Sequence, residues 1–522
     1  MADATTGERA VVIGAGVGGL SAAALLAARG FAVTLVEKEA APGGKMRLIE
    51  AGGAQIDAGP TVFTMKPVFE ALFEACGAHL SDYVTLQPCS VLARHAWADG
   101  ARLDLFADGG ASEAAIEAFA GGEEAKGFRA FAAEAAALHD VLKTTMLEAQ
   151  RPSFLSLPAR IGWDRPDRLL ALRPFETLWQ ALGRHFRDPR LRQLFGRYAT
   201  YCGCSPFQAP ATLMLIAHVE LDGVWLVEGG MHALAQGLAR LAEAKGARLR
   251  YGAAAGEILV RGGRAAGVRL ADGKEIAADL VIANSDAHAL ASGLLGAGAR
   301  AAARPTPQAA RSLSAVTWAG SLEAKGFPLA RHTVFFSDAY KAEFDAIFRA
   351  GRLPQTPTLY VCAQDRDDSG AGPDGPERLL VLANAPAIGA DLSDQEIDAC
   401  QARALSHLRA CGLRLSLDPA RTVRTGPAQW EALFPGTRGA IYGRSIHGPF
   451  APFQRMGARS RLPGLYLTGG SVHPGAGVPM AALSGRLAAE AILADRPSTP
   501  RFRPAAIAGG MSTRSATTGS TA

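Results

Sequence analysis

Three glycines, Gly14, Gly16 and Gly19, follow an apolar run at residues 10–13 and lead into a stretch of alanine and leucine that reads as a helix. Glycine makes up 59 of the 522 residues, so the spacing alone would mean little and the context has to carry it. Here the context is complete. The first glycine permits a tight strand-to-helix turn, the second lets the backbone approach a pyrophosphate, and the third lets helix and strand pack closely. The helix then points its N–H groups and dipole at the phosphates. Small residues at Ala23 and Gly30 suit the same packing. Glu37 closes the next apolar run, 32–37, where its carboxylate can accept hydrogen bonds from ribose hydroxyls. The chemistry on offer is the holding of a dinucleotide.

Further glycine clusters extend the pattern. Pro42-Gly43-Gly44-Lys45-Met46 places a cation beside a glycine pair, and Asp57-Ala58-Gly59-Pro60-Thr61 follows. Near the C-terminus an apolar strand at 464–468 runs into Gly469-Gly470-Ser471. His473-Pro474-Gly475-Ala476-Gly477-Val478-Pro479-Met480 comes next, then a small-residue helix at 481–493. Strand, glycines and helix again make an anion-friendly N-terminus.

The first cluster resembles the GG motif of the glutathione-reductase-type flavoproteins, in the branch that holds amine oxidases and carotenoid desaturases. That resemblance implies FAD and not NAD. Lys45 stands where the family more often has arginine, keeping the charge but not the planar fork. The C-terminal stretch is similar to the signature of the bacterial-type phytoene desaturases, whose His-Pro-Gly-x-Gly loop covers the ribityl and isoalloxazine part of FAD. Tyr201-x-Gly203-x-Ser205-Pro206, residues 223–231 and Ala283-Asn284-Ser285-Asp286 also match, so the likeness spans residues 8–495. It implies cofactor contacts from Gly14, Gly16, Gly18, Gly19, Glu37, Lys38, Gly44, Lys45, Gly59, Pro60 and Thr61. It adds Ala255, whose amide reaches the adenine, with Asn284, Gly469, Gly470, Val478, Pro479 and Met480. Within the family, residues 92–106 and Gly229-Gly230-Met231-His232 resemble the 1-hydroxycarotenoid 3,4-desaturases, which act on hydroxyneurosporene or methoxyneurosporene; phytoene desaturation is the alternative.

The elements that must position these residues are those of an α/β fold: a Rossmann-type FAD-binding domain of the glutathione-reductase/amine-oxidase class, with interleaved substrate-binding and helical membrane-associated regions. The chain divides into FAD-binding parts at 8–75, 221–300 and 461–495, a helix-rich substrate and membrane region at 76–220, and a substrate-binding domain at 301–460. A loop is expected at 365–376 and a disordered tail at 496–522. Strands read at 248–251, 268–270 and 280–283, with Asp272-Gly273 as a hairpin turn.

Composition excludes other classes. A formal charge of +5 is too small to argue for nucleic acid. Seven scattered cysteines suit a reducing compartment, and Cys202-Gly203-Cys204 lacks the partners of a metal site. Neither a signal peptide nor a run of eighteen apolar residues is read, so the protein is expected in the cytoplasm, peripherally associated with the inner or intracytoplasmic membrane. Residues 151–197 carry ten arginines against four acids, interleaved with Phe154, Trp163, Phe175, Trp179 and Phe186, and could lie on an anionic bilayer.

Desaturation removes two hydrogens from adjacent CH2 groups of a C40 carotenoid, with oxygen or a quinone reoxidising the flavin. Phe335, Phe336, Phe344 and Phe348 could wall an apolar tunnel or form plain core. There is no triad and no pair of carboxylates. The one candidate for catalysis is His473, against its reading as a turn residue set beside the flavin by Pro474. The rival readings are a flavin amine oxidase or protoporphyrinogen oxidase, which lack the His-Pro-Gly-x-Gly loop, and a flavin-free escort protein that holds isoprenoid chains. Oligomeric state is left open.

Overall fold

The computed structural model describes residues 7–496. All of the expected tail except Arg496 lies outside the described residues. Two sheets organise the chain. The first is five-stranded and wholly parallel, in the order Leu465–Leu467, Leu280–Ala283, Arg9–Ile13, Ala32–Val36, Arg248–Arg250. Its central strands read as unbroken apolar runs because both faces are covered. One face carries the helix Val17–Ala28, buried on nearly every side between the helices Met231–Ala244 and Val478–Ala494. Gly485 makes that contact possible: a Cβ there would stand 2.4 Å from the Gly18 carbonyl oxygen. The other face carries an antiparallel meander, Ala255–Arg261, Arg264–Leu270 and Glu275–Ala277, whose last turn holds Gly273 at φ +87°.

The helix after the first strand starts at Val17, because Gly16 is already the extended cap residue. Gly18 and Gly19 therefore lie in its first turn.

The second sheet is mixed and seven-stranded, ordered Thr422–Thr425, Ser314–Leu322, Glu377–Ala385, Leu359–Ala363, His332–Phe335, Val91–Ala96, Arg102–Phe106. The last two strands come from the region expected to be helix-rich. Their alternation, with Leu92, Leu103 and Leu105 buried and the turn at Gly100, builds a hairpin that pairs in parallel with His332–Phe335. The 76–220 and 301–460 regions thus share one sheet. On one face lies the helix Asp394–Ala410, capped by a reciprocal Ser393–Glu396 box. Opposite it sits a helical cap built from Gly122–Leu142, Leu178–His185, Pro189–Gly196 and Leu215–Leu221. Phe336 and Phe344 pack into the cap side, Phe335 faces the other layer, and Phe348 stands half-buried against His447. Residues 365–376 form neither helix nor strand.

Residues 151–197 do not form one basic surface. Phe186 is fully buried, and Arg197 lies inside the cap among Tyr198, Tyr201 and Glu220, because from Leu178 onward the helices turn their apolar faces inward. The first half is different: Phe154, Leu155, Trp163, Leu170 and Phe175 stand 47–79% exposed. Among the described residues no helix is long and apolar enough to cross a membrane.

Candidate functional site: a dinucleotide cleft at four strand ends

Four neighbouring strands of the parallel sheet end at one edge, and the residue after each was singled out in the sequence or adjoins one that was. Gly14 follows Ile13, Glu37 follows Val36, Asn284 follows Ala283, and Thr468-Gly469 follow Leu467. Ligands of open α/β sheets bind outside the carboxyl ends of the strands, where this edge lies.

Asn284 is the hub. Its Nδ2 donates to the Gly14 carbonyl at 3.3 Å. A Cβ on Gly16 would come 2.8 Å from Asn284 Nδ2, and one on Gly469 2.6 Å from Oδ1. On Gly18 a Cβ would meet Thr468 Oγ1 at 2.6 Å, and on Gly19 the Gly14 carbonyl oxygen at 2.1 Å. Only glycines fit this cradle. The helix that opens there has no side-chain cap, so its first N–H groups are left for an anion.

Glu37 is buried at the neighbouring strand end. Its two oxygens accept from the N–H groups of Ala15 at 2.6 Å and Glu39 at 3.0 Å. A carboxylate has about four lone-pair directions, so capacity for two hydroxyls is left. The Glu37 carbonyl accepts from the Ala253 N–H at 2.7 Å, which brings the start of the meander, and with it Ala255, alongside. The Lys38 ammonium is exposed, near Glu39 and the Ala432 carbonyl.

The second glycine pair closes over the first. Gly43 donates to the Ala15 carbonyl at 2.9 Å, and Gly44 lies against Gly16. Lys45 runs inward and donates to the Ile441 carbonyl at 2.5 Å; burial lowers its pKa to about 8, opposed by the charge of Asp286. Gly59 is held against Lys45, whose carbonyl oxygen would stand 1.8 Å from a Cβ. Asp57 anchors this segment. Its carboxylate accepts from the N–H groups of Met231 at 2.7 Å and His232 at 3.0 Å, at the start of a helix with no other cap, and burial raises its pKa. The Thr61 hydroxyl is hydrogen-bonded to Tyr360 at 2.6 Å, and Pro60 lies between these two anchors.

From the C-terminal side, Val478, Pro479 and Met480 form the first turn of the last helix, behind Gly477 at φ +117°. Gly470 offers its carbonyl to the buried Arg455 at 2.8 Å. Arg455 also ties down the carbonyls of Tyr442 and Arg444. No motif marks this arginine, which sits in an irregular stretch without periodicity. His473 Nε2 donates to the Ala149 carbonyl at 3.0 Å, and burial lowers its pKa to about 4. Held neutral and committed to a carbonyl, it behaves as a fastener between the loop and the 143–150 segment. Cys202 and Cys204 are free thiols, and the described residues contain no group of three metal-ligating side chains.

The family of flavin-containing amine oxidoreductases matches residues 17–493. A hydroxyneurosporene desaturase of Rubrivivax gelatinosus is 54% identical over 522 residues, covering 99% of each chain. A second, from Cereibacter sphaeroides, is 48% identical over 94% of this chain and 99% of its own. Among solved structures, an oxidoreductase from Methanosarcina mazei superposes with a TM-score of 0.57 at 16% identity, covering 93% of this chain and all of its own; the likeness is one of fold.

Proposed function

The chain belongs to the flavin-containing amine oxidoreductases, in their carotenoid desaturase branch, and from that premise we propose that it introduces a C=C bond at C-3,4 of a hydroxylated acyclic carotenoid of the 1-hydroxyneurosporene or methoxyneurosporene type. The cofactor is FAD. The observation that carries the reading is the convergence of Gly14, Glu37, Asn284 and Gly469 at four adjacent strand ends, with a cradle that side chains would fill.

FAD supplies the hydride acceptor, and the second hydrogen leaves as a proton. The chain's own residues bind and orient. The bare N–H groups after Gly16 meet the pyrophosphate, Glu37 takes the ribose hydroxyls, and Lys45, Gly59, Pro60, Gly470 and the 478–480 turn border the rest. In this reading 8–75, 221–300 and 461–495 hold FAD, while 76–220 and 301–460 receive the carotenoid. The core between cap and sheet, where Phe336, Phe344, Tyr340 and Phe207 pack together, is largely apolar, as a site that excludes water needs.

The substrate is a lipid, and the exposed side chains Phe154, Leu155, Trp163, Leu170 and Phe175 stand among the exposed Arg151, Arg160, Arg165, Arg168 and Arg173. Large apolar residues left in water beside cations fit an anionic membrane face. We assign this face to peripheral docking on the cytoplasmic side of the membrane, with oxygen or a quinone as the final electron acceptor.

The test is expression in a host that accumulates 1-hydroxyneurosporene, with pigment analysis. One additional conjugated double bond in the hydroxylated pigment is expected, from a protein that purifies yellow. A colourless protein that FAD cannot reconstitute would overturn the reading.

A further inference from the structure

The apolar core between cap and sheet holds a group of polar side chains that the cofactor cleft does not use. On the cap side, Glu220 accepts from the hydroxyls of Tyr198 at 2.7 Å and Tyr201 at 2.5 Å. Arg197 lies over both rings and donates to the Tyr201 hydroxyl at 3.3 Å, while its Nη2 stays 3.8 Å from Glu220. On the sheet side, Val334 pairs with His95 across adjacent strands, which puts His95 and His332 on one face, the face the cap covers. All of these residues are buried or nearly so.

Four polar atoms here have no hydrogen-bond partner among the described residues: His95 Nε2, His332 Nε2, Arg197 Nε and Arg197 Nη2. Buried polar atoms seldom go unpaired, and Arg197 stands close enough for its charge to lower the pKa of both histidines. Their chemistry is complementary. His95 Nδ1 lies 3.1 Å from the Leu103 carbonyl, which can only accept, so the proton sits on Nδ1 and Nε2 presents a bare lone pair. Burial, followed by the charge of Arg197, holds His95 well below its usual pKa and therefore neutral. Arg197 offers N–H groups and nothing else. An acceptor and donors together suit one hydroxyl, which donates once and accepts twice.

We propose that His95, His332 and Arg197 form a subsite that hydrogen-bonds the C-1 hydroxyl of the carotenoid and so selects hydroxylated substrate. This rests on the desaturase reading above and adds the residues that would read the hydroxyl. Its position supports it. Two single bonds of about 1.5 Å each separate C-1 from C-3, so the hydroxyl oxygen lies within roughly 5 Å of the reacting carbons and its reader one hydrogen bond beyond. His332 Nδ1 is 2.7 Å from the Tyr360 hydroxyl, which is 2.6 Å from the hydroxyl of Thr61 in the glycine-bearing segment of the cofactor cleft. The subsite is one hydrogen-bonded residue removed from that segment.

The experiment uses the full-length, FAD-loaded enzyme in detergent, with 1-hydroxyneurosporene and neurosporene as alternative substrates. Wild type is expected to favour the hydroxylated carotenoid. His95→Leu and His332→Leu should each lower the ratio of kcat/KM for 1-hydroxyneurosporene to that for neurosporene by about 10- to 100-fold. His95→Gln, which keeps an acceptor, should recover part of the loss. Equal losses on both carotenoids, or no preference in wild type, overturn the subsite. Binding of the two carotenoids, followed by quenching of protein fluorescence, separates the two readings. If wild type desaturates neither carotenoid, the reaction is wrong. The subsite then stands only if the hydroxylated ligand binds tighter to wild type and not to His95→Leu, and it falls if the affinities are equal.

Discussion

Asn284 joins the two ends of the chain: its amide donates to the carbonyl of Gly14 while its oxygen faces Gly469, so one side chain spans the first and last turns of the cofactor cradle. Asn284→Leu would fill the space the glycines leave, and Gly18→Val would drive a side chain into Thr468 and the Gly469 N–H. Both variants should purify with less than about a tenth of the wild-type flavin, since the loss of a phosphate-facing backbone contact is worth a tenfold change or more. The ratio of flavin to protein absorbance reads this directly.

Asp57 should matter more for the fold than for the chemistry. Replacing it with alanine strips the N–H groups of Met231 and His232 of their acceptor in a buried place. The cost is about 2–3 kcal/mol. For a chain of this size that lowers the thermal midpoint by roughly 2–3 °C. Asp57→Asn, which keeps one good acceptor, should fall between. A midpoint unchanged in Asp57→Ala would show that the helix start is capped by something else.

Acid should destabilise the protein in a defined window. Burial lowers the pKa of His473 and His447 to about 4 and of His332 to about 3. Below the unfolded value of about 6.5, the unfolded chain takes up protons that the folded chain refuses. The stability from neutral histidine is therefore complete above that pH and is lost as pH falls toward 4. For His473 the loss is about 2 kcal/mol at pH 5. Thermal midpoints measured from pH 7.5 to 5 should fall, and His473→Gln, which can still donate to Ala149, should show the shallower slope.

Membrane attachment should depend on a few side chains. Changing Phe154, Trp163 and Phe175 together to serine should weaken co-sedimentation with phosphatidylglycerol-containing vesicles by at least about tenfold, with FAD content unchanged. Wild type should bind pure phosphatidylcholine vesicles less well. Equal sedimentation of variant and wild type would move the docking face elsewhere.

The strand-end edge that gathers the glycines was legible because its signals are local. Glycines behind an apolar run, and an acid at the next strand end, are dictated by sterics within some thirty residues, and the structure puts Gly14, Gly16, Glu37 and Asn284 at one edge. The hairpin at Val91–Ala96 and Arg102–Phe106 escaped notice because its partner, His332–Phe335, lies more than two hundred residues away. Arg455 and the Arg197 cluster escaped for the same reason: what makes them unusual is burial, and burial of an arginine has no periodicity to read. The basic segment misled in the opposite direction. Its charge count treated 151–197 as one surface, whereas tertiary packing pulled Phe186 and Arg197 inside and left only the first half in water.

The parallel sheet also sets a timetable. Its central strand, Arg9–Ile13, is made long before one of its edge strands, Leu465–Leu467, and the helix that covers Val17–Ala28 follows that. At about 5–20 residues per second, ribosomes take roughly 20 to 90 s to travel between them. From its own synthesis until Leu465–Leu467 emerges, Leu280–Ala283 is an uncovered apolar edge, and the cradle lacks its Gly469 wall. Flavin capture therefore waits for the segment that ends in Gly469, and a messenger truncated before codon 465 should yield an apoprotein with an open sheet edge prone to association.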